Sequence, residues 1–80
     1  MNSTIKLLHV VALTEDLGEK GLRRGQVGTV VEQLADGVYE VEFSDDHGRA
    51  YALVPLRAEQ MMVLHYRPLQ VARASAPAVR

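Results

Sequence analysis

The segment VYEVEF, residues 38–43, restricts the possible folds most strongly, because apolar and acidic side chains alternate in it. Tyr39, Val41 and Phe43 point to one side of an extended chain, and Val38, Glu40 and Glu42 point to the other. Turn signals bound the segment on both sides: Asp36-Gly37 before it, and Ser44 to Gly48 after it. The pattern predicts a half-buried strand between two hairpin turns.

Four further strands are predicted around this one. The segments are IKLLHVVAL (5–13), QVGTVVEQL (26–34), RAYALVPL (49–56) and MMVLHY (61–66). Pro55 is expected to end the fourth strand, because proline cannot donate to the ladder, and a short turn at 55–59 follows. The last strand needs an edge, which the first strand supplies. Five short strands predict an all-β fold, a small SH3-like barrel.

The segment TEDLGEKGLRRG, residues 14–25, is predicted to be a long irregular loop after the first strand. Gly18, Gly21 and Gly25 each weaken a helical assignment. Gly25 and Gly28 are expected to let the chain turn sharply and the sheet bend where a Cβ would clash. The barrel domain is assigned to residues 1–66, and residues 67–80, small and proline-containing, to a flexible C-terminal tail.

Composition limits the partners. The 80 residues suffice for one domain, without cysteine or a zinc-type Cys/His spacing, so we expect no metal or other cofactor. Residues 1–66 carry six basic and ten acidic side chains, net −4, whereas residues 67–80 carry three arginines, net +3. This acidic balance argues against a nucleic-acid partner. The absence of a signal peptide or apolar span predicts a cytoplasmic protein without membrane contact.

Catalytic and metal-binding arrangements are weak in this sequence. We find no Ser/His/Asp or Cys/His set and no phosphate loop, and therefore predict that the protein is not an enzyme. Asp45, Asp46 and His47 are better explained as a turn than as a cation site. His9 and His65 lie on strands expected to pair, so they approach one another, but a metal would need a further ligand.

The last predicted strand also offers an apolar patch. Met61 and Met62 alternate faces, so one of them is expected in the core and the other exposed near Leu64 and Tyr66. Such a patch would suit a protein partner.

Five blocks of the sequence resemble a small bacterial family known only as a domain of unknown function. The blocks are IKLLHVVAL, EDLGEKGLRRGQVGTVVE, DGVYEVEF, GRAYAL and MMVLHY, spread over residues 5–66. The resemblance implies an SH3-like barrel. GLRRGQVGTVV also resembles the KOW signature of ribosomal proteins and transcription factors, in which a basic residue and a glycine lead into G-x-V on a strand.

VALTEDL, residues 11–17, occupies the place of the aromatic box that grips polyproline in signalling SH3 domains. Thr14 and Leu17 stand where that box has aromatic residues. Without aromatic walls the groove cannot clasp proline rings in the usual manner, so the sequence argues against binding of proline-rich motifs.

Three functional hypotheses remain, and the first two come from different classes. The first is a protein-interaction module, an accessory, antitoxin-like or immunity-like partner whose acidic side chains steer a basic protein; these are Glu15, Asp16, Glu19, Glu40, Glu42, Asp45 and Asp46. The alternative is a KOW-like nucleic-acid binder that uses the basic tail and Lys20, Arg23 and Arg24. A stand-alone copy of the barrel found in the nitrile hydratase β-subunit is a third reading, and open sheet edges leave a homodimer as an option.

Overall fold

The computed structural model describes residues 5–68, so the predicted tail lies outside the described residues from residue 69 onward. Five strands form one antiparallel sheet in the order β4-β3-β2-β1-β5. The strands are β1 Val10–Leu13, β2 Val27–Ala35, β3 Val38–Ser44, β4 Ala50–Arg57 and β5 Met61–Val63. Two 3-10 turns, Gly18–Lys20 and Ala58–Gln60, are the only helical elements in the described part. The prediction of an all-β fold is confirmed.

All five strands contribute to one hydrophobic core. Tyr39, Val41 and Phe43 are buried on β3, as the alternation predicts, and every other strand adds at least one buried side chain. Leu22 joins this core from the loop between β1 and β2. Because β4 and β5 are the two edges of the sheet and still share one core, the sheet must bend strongly around it.

The two hairpin turns match the prediction. Gly37 (φ 72°) and Gly48 (φ 79°) take the left-handed conformation that each turn requires. In the β3–β4 turn the Asp45 carboxylate accepts hydrogen bonds from the backbone N–H groups of His47 (2.8 Å) and Arg49 (3.0 Å). Asp45 and His47 therefore lie in a tight turn, as the turn interpretation of this segment expected.

The glycines around the two arginines have the roles predicted for them. Gly25 has φ 93°, and its N–H donates to the Leu13 carbonyl at 2.8 Å. A Cβ at Gly28 would lie 2.7 Å from Cγ1 of Val41 and 3.0 Å from the carbonyl oxygen of Glu42. The backbone of β2 therefore lies so close to the neighbouring strand β3 that only glycine fits at position 28. The loop before these glycines is irregular and is closed by an isolated bridge between Leu17 and Leu22.

The first and last strands are shorter than predicted. β1 begins at Val10 rather than at residue 5, because residues 6–9 close a turn instead of extending. The Lys6 N–H donates to Nδ1 of His9 (3.0 Å), and the His9 N–H donates to the Lys6 carbonyl (3.1 Å). β5 ends at Val63 because its partner strand starts at Val10, and the bond from the Leu64 N–H to the Val10 carbonyl (2.9 Å) closes the ladder.

Pro55 does not end β4, contrary to the prediction. The strand continues to Arg57, with Pro55 opposite Glu40 and Leu56 opposite Tyr39. β4 is an edge strand, so the missing proline N–H costs no interstrand bond on its open side.

β2 contains two irregularities that the sequence pattern does not predict. The register shifts between Val30 and Glu32, and again between Gln33 and Ala35. The first shift inserts Val31 as an extra residue and moves Glu32 onto the same face as Glu40.

Candidate functional site

The outer face of β2, β3 and β4 carries a compact group of carboxylates beside exposed apolar side chains. Glu40 and Glu42 point away from the buried Tyr39, Val41 and Phe43. Leu53, 55% exposed, lies directly opposite Glu42, and Pro55 lies opposite Glu40. We call this surface the acidic face and define it by Glu32, Glu40, Glu42, Leu53 and Pro55.

No carboxylate of the acidic face forms an ion pair with a described residue. Glu32 and Glu40 are direct cross-strand partners, an arrangement in which like charges repel. The one ion pair between described residues joins Arg57 to Glu59 at 2.9 Å, and neither of these belongs to the acidic face. The acidic face therefore places three carboxylates beside the apolar side chains of the edge strand β4.

Two other predicted acidic residues have internal roles near the loop after β1. The Asp16 Oδ1 accepts the backbone N–H of Arg24 at 2.8 Å and so pins the far end of the loop. The Glu15 Oε2 accepts from Nε2 of the buried Gln60 at 3.0 Å, which satisfies an amide that would otherwise lose its hydrogen bond to water. Both residues stabilise the fold at positions apart from β3.

The remaining predicted acidic residues lie in surface turns. Asp45 caps the β3–β4 turn, as described above, while Asp46 and Glu19 are exposed. The seven residues predicted as one acidic field are therefore distributed over the outer face, the loop after β1 and the β3–β4 turn, and only Glu40 and Glu42 belong to the acidic face.

One carboxyl has a displaced pKa. The pKa of Glu59 is lowered because its own backbone N–H, and then the Arg57 guanidinium, hydrogen-bond to the carboxylate. Glu59 is fully exposed and lies in the turn before β5, so this shift belongs to a surface turn and not to a catalytic arrangement.

The basic residues predicted as a nucleic-acid contact are exposed, and two of the three line one cleft. Arg23 and Arg24 line one cleft of about 870 Å³ between the loop and Met62, and Asp16 lines it with them. Lys20 lies in the 3-10 turn Gly18–Lys20 and does not line that cleft. The Asp16 carboxylate therefore offsets part of the positive charge at the arginines.

A second concavity lies where β1 begins and β5 ends. It is lined by residues 8–10 and 64–68 and has a volume of about 540 Å³; we call it the histidine groove. His9 and His65 both line it, although each lies just outside its strand.

The apolar patch predicted on the last strand is also present. Met61 is buried in the core and Met62 is 54% exposed, and Leu64 and Tyr66 line the adjoining histidine groove. Met62 is opposite Ala12 on β1, so the patch lies on the outer surface of the β1–β5 pair.

Within residues 5–68, no three or more His, Asp or Glu side chains come together as a metal site. At His9 a hydrogen bond explains why the ring does not serve as a metal ligand. Nδ1 accepts the Lys6 N–H, so the neutral ring carries its proton on Nε2 and has no free lone pair. The same part of the chain contains no apolar helix of the length that crosses a bilayer.

Glu32 is the member of the acidic face that sequence reasoning missed. Simple alternation from the buried Val30 would turn Glu32 toward the core, and the extra residue Val31 reverses that direction. A glutamate at a position where alternation demands an apolar residue was the available signal, because a buried unpaired carboxylate would be costly.

Comparison with known proteins gives a family. Neither the curated proteins nor the solved structures contain a match to the chain. The sequence model of one family, described as Domain of unknown function (DUF4926), matches residues 7–63. This range includes all five strands and both glycine-dependent hairpins. The chain therefore belongs to the family of Domain of unknown function (DUF4926).

Proposed function

We propose that the protein is a non-enzymatic protein-interaction module that presents its acidic face to a basic partner protein. The observation that carries the proposal is the placement of Glu32, Glu40 and Glu42 on one face of β2 and β3, beside the exposed Leu53 of the edge strand β4. Protein-binding surfaces combine apolar and polar area, and the acidic face contains both.

The energetics of the acidic face support the same reading. Cross-strand like charges such as Glu32 and Glu40 destabilise a sheet, so the pair is not explained by folding. Features that break a local stability rule are expected where a surface serves binding. A basic partner would relieve the repulsion, and the negative potential would raise its association rate more than its affinity.

We further propose that the sheet closes as an SH3-like barrel of the KOW type and that the module acts in the cytoplasm of a bacterial cell as an accessory, antitoxin-like or immunity-like protein. The strand order β4-β3-β2-β1-β5 around a single core supports the barrel. The resemblance to a bacterial family supports the cellular setting.

The experiment is affinity capture with tagged full-length protein from a nuclease-treated lysate of the native host. A discrete protein retained by the wild type should be lost from the double variant E40K/E42K. The matched control is E19K/D46K, which changes the charge equally at exposed sites away from the acidic face. Equal retention by both double variants would exclude the acidic face as the contact.

The nucleic-acid alternative, with Lys20, Arg23, Arg24 and the basic tail, makes the opposite prediction. It is favoured by the exposure of both arginines beside one cleft. Material retained only from the untreated lysate, lost with R23A/R24A and weakened steeply by salt, would support it in place of the protein partner.

A further inference from the structure

We propose that the histidine groove binds a segment of a partner protein in which Asp or Glu side chains alternate with large apolar side chains. The groove is separate from the acidic face, being formed by the beginning of β1 and the residues that follow β5. The proposal does not rest on the proposed function, and the partner has the opposite charge.

The apolar part of the groove is unusually open for so small a domain. Leu8 is 74% exposed and Tyr66 is 86% exposed, and both line the groove with Leu64 and Val10. Exposed apolar side chains that adjoin one another in a concave surface mark interaction sites, whereas scattered ones do not.

Leu8 is held in this exposed position by the backbone. Its φ of 70° is the one positive value at a non-glycine residue among those described. Its N–H donates to the Val30 carbonyl at 2.7 Å, and the turn between Lys6 and His9 closes around it. A leucine held in a strained conformation and pointing into solvent is better explained by an external contact than by folding.

The polar side chains of the groove include hydrogen-bond donors and no carboxylate among the described residues. His9 accepts the Lys6 N–H through Nδ1, so its neutral ring presents an Nε2–H. His65 and Arg67 line the same groove, and no acidic side chain lines it within the described residues. A guanidinium and an imidazole N–H are complementary to carboxylates and repel a basic segment.

The apolar and polar features together select the ligand. A purely apolar segment would leave the donors unpaired, and a free small anion would leave Leu8 and Tyr66 in water. An acidic segment with large apolar side chains satisfies both, because its carboxylates meet Arg67 and the His9 N–H while its apolar side chains cover the leucines.

The three histidines provide the measurement, because His9 and His65 lie in the groove and His47 lies in the β3–β4 turn. Their ring Hε1 signals in the full chain are assigned with H9Q, H65Q and H47Q. The probes are two pools of capped hexapeptides, in which Leu, Ile and Phe alternate with Asp and Glu in one pool and with Lys and Arg in the other. We expect the acidic pool to shift His9 and His65 and to leave His47 unchanged.

Charge variants locate the contact. Arg67→Glu should weaken binding of the acidic pool by at least about tenfold, because it removes a charge-assisted hydrogen bond and adds a carboxylate that repels the peptide. The matched control, Arg49→Glu in the exposed β3–β4 turn, should leave binding unchanged. E40K/E42K should also leave the shifts of His9 and His65 unchanged, so failure at the groove and failure at the acidic face are distinguishable.

Several outcomes would overturn the proposal. These are no shift of His9 and His65 with the acidic pool, equal shifts with the basic pool, or a shift of His47 as large as theirs. Vesicles of phosphatidylglycerol form a further arm, since a lipid surface also combines anionic and apolar groups. If the vesicles perturb the two groove histidines and the acidic peptides do not, the groove contacts a membrane surface instead.

Discussion

The acidic face and the histidine groove present opposite chemistry on one small sheet. Both expose large apolar side chains, Leu53 on the acidic face and Leu8 in the groove. On the acidic face the neighbours are carboxylates, whereas in the groove they are imidazoles and a guanidinium. The difference shows that the net charge of a small domain does not describe its surfaces, because each surface takes the charges of the few residues that the strands place there.

The two surfaces also differ in how the chain builds them. The residues of the acidic face lie within three long strands and not beyond their ends, so alternation fixes the direction of each side chain. The histidine groove is formed where β1 begins and β5 ends. Its residues are held by the turn between Lys6 and His9 and by single hydrogen bonds. Variants in the shared core, in one loop and at one surface charge show separately how much each of these regions contributes to stability.

The largest effect is expected in the shared core. Phe43 is fully buried near the C-terminal end of β3, and Phe43→Ala should lower the free energy of unfolding by about 3–5 kcal/mol. A loss of this size approaches the whole stability of a domain this small, so both surfaces should disappear together. Urea denaturation followed by circular dichroism measures the loss.

Leu53→Ala is the matched control, because Leu53 lies on the acidic face and is largely exposed. It should change the free energy of unfolding by no more than about 0.5 kcal/mol. A loss comparable to that of Phe43→Ala would mean that the outer face is packed against something, and that it is not a free surface.

A smaller effect is expected in the loop that leads into β2. Gly25 has φ 93° with open space around it, so Gly25→Ala introduces backbone strain without a clash and should cost about 1 kcal/mol or more. Gly18 has no positive φ and equally open surroundings, so Gly18→Ala should be neutral or stabilise by up to about 1 kcal/mol. Thermal unfolding of the two variants side by side tests this, and equal effects would show that the backbone at Gly25 is unstrained.

Sequence reasoning succeeded where a local rule decides the structure. The alternation at Tyr39, Val41 and Phe43 gave the buried face of β3, and the glycines gave the turns. It was wrong about Pro55, because whether a proline ends a strand depends on whether that strand is at an edge, and this is a property of the whole sheet.

The two surfaces also differ in how much of each could be predicted from the sequence. Glu40 and Glu42 were identified from the alternation, and Glu32 was missed because the extra residue at Val31 changes the register. The approach of His9 and His65 was predicted from the pairing of β1 with β5, but the groove itself depends on where those strands stop. Strand ends are determined by hydrogen bonds such as that between Lys6 and His9, which composition and periodicity do not encode.

The smallest predicted effect tests whether charge repulsion on the acidic face lowers the free energy of unfolding. Glu32→Gln removes one charge from the direct pair with Glu40 and should raise the free energy of unfolding by about 0.2–0.5 kcal/mol at low salt. The gain should shrink as salt is added, because screening already weakens repulsion between exposed charges. Glu19→Gln, an exposed glutamate in the first 3-10 turn, is the control for the change in net charge.

The same variant connects stability to binding. If the acidic face contacts a basic partner, Glu32→Gln should be more stable than the wild type and yet associate more slowly with that partner, since the steering potential falls with the repulsion. Urea midpoints and association rates measured at two salt concentrations give both quantities. A variant that gains stability without losing association rate would show that the Glu32–Glu40 pair serves no contact, and would leave the histidine groove as the better candidate for the interaction surface of this domain.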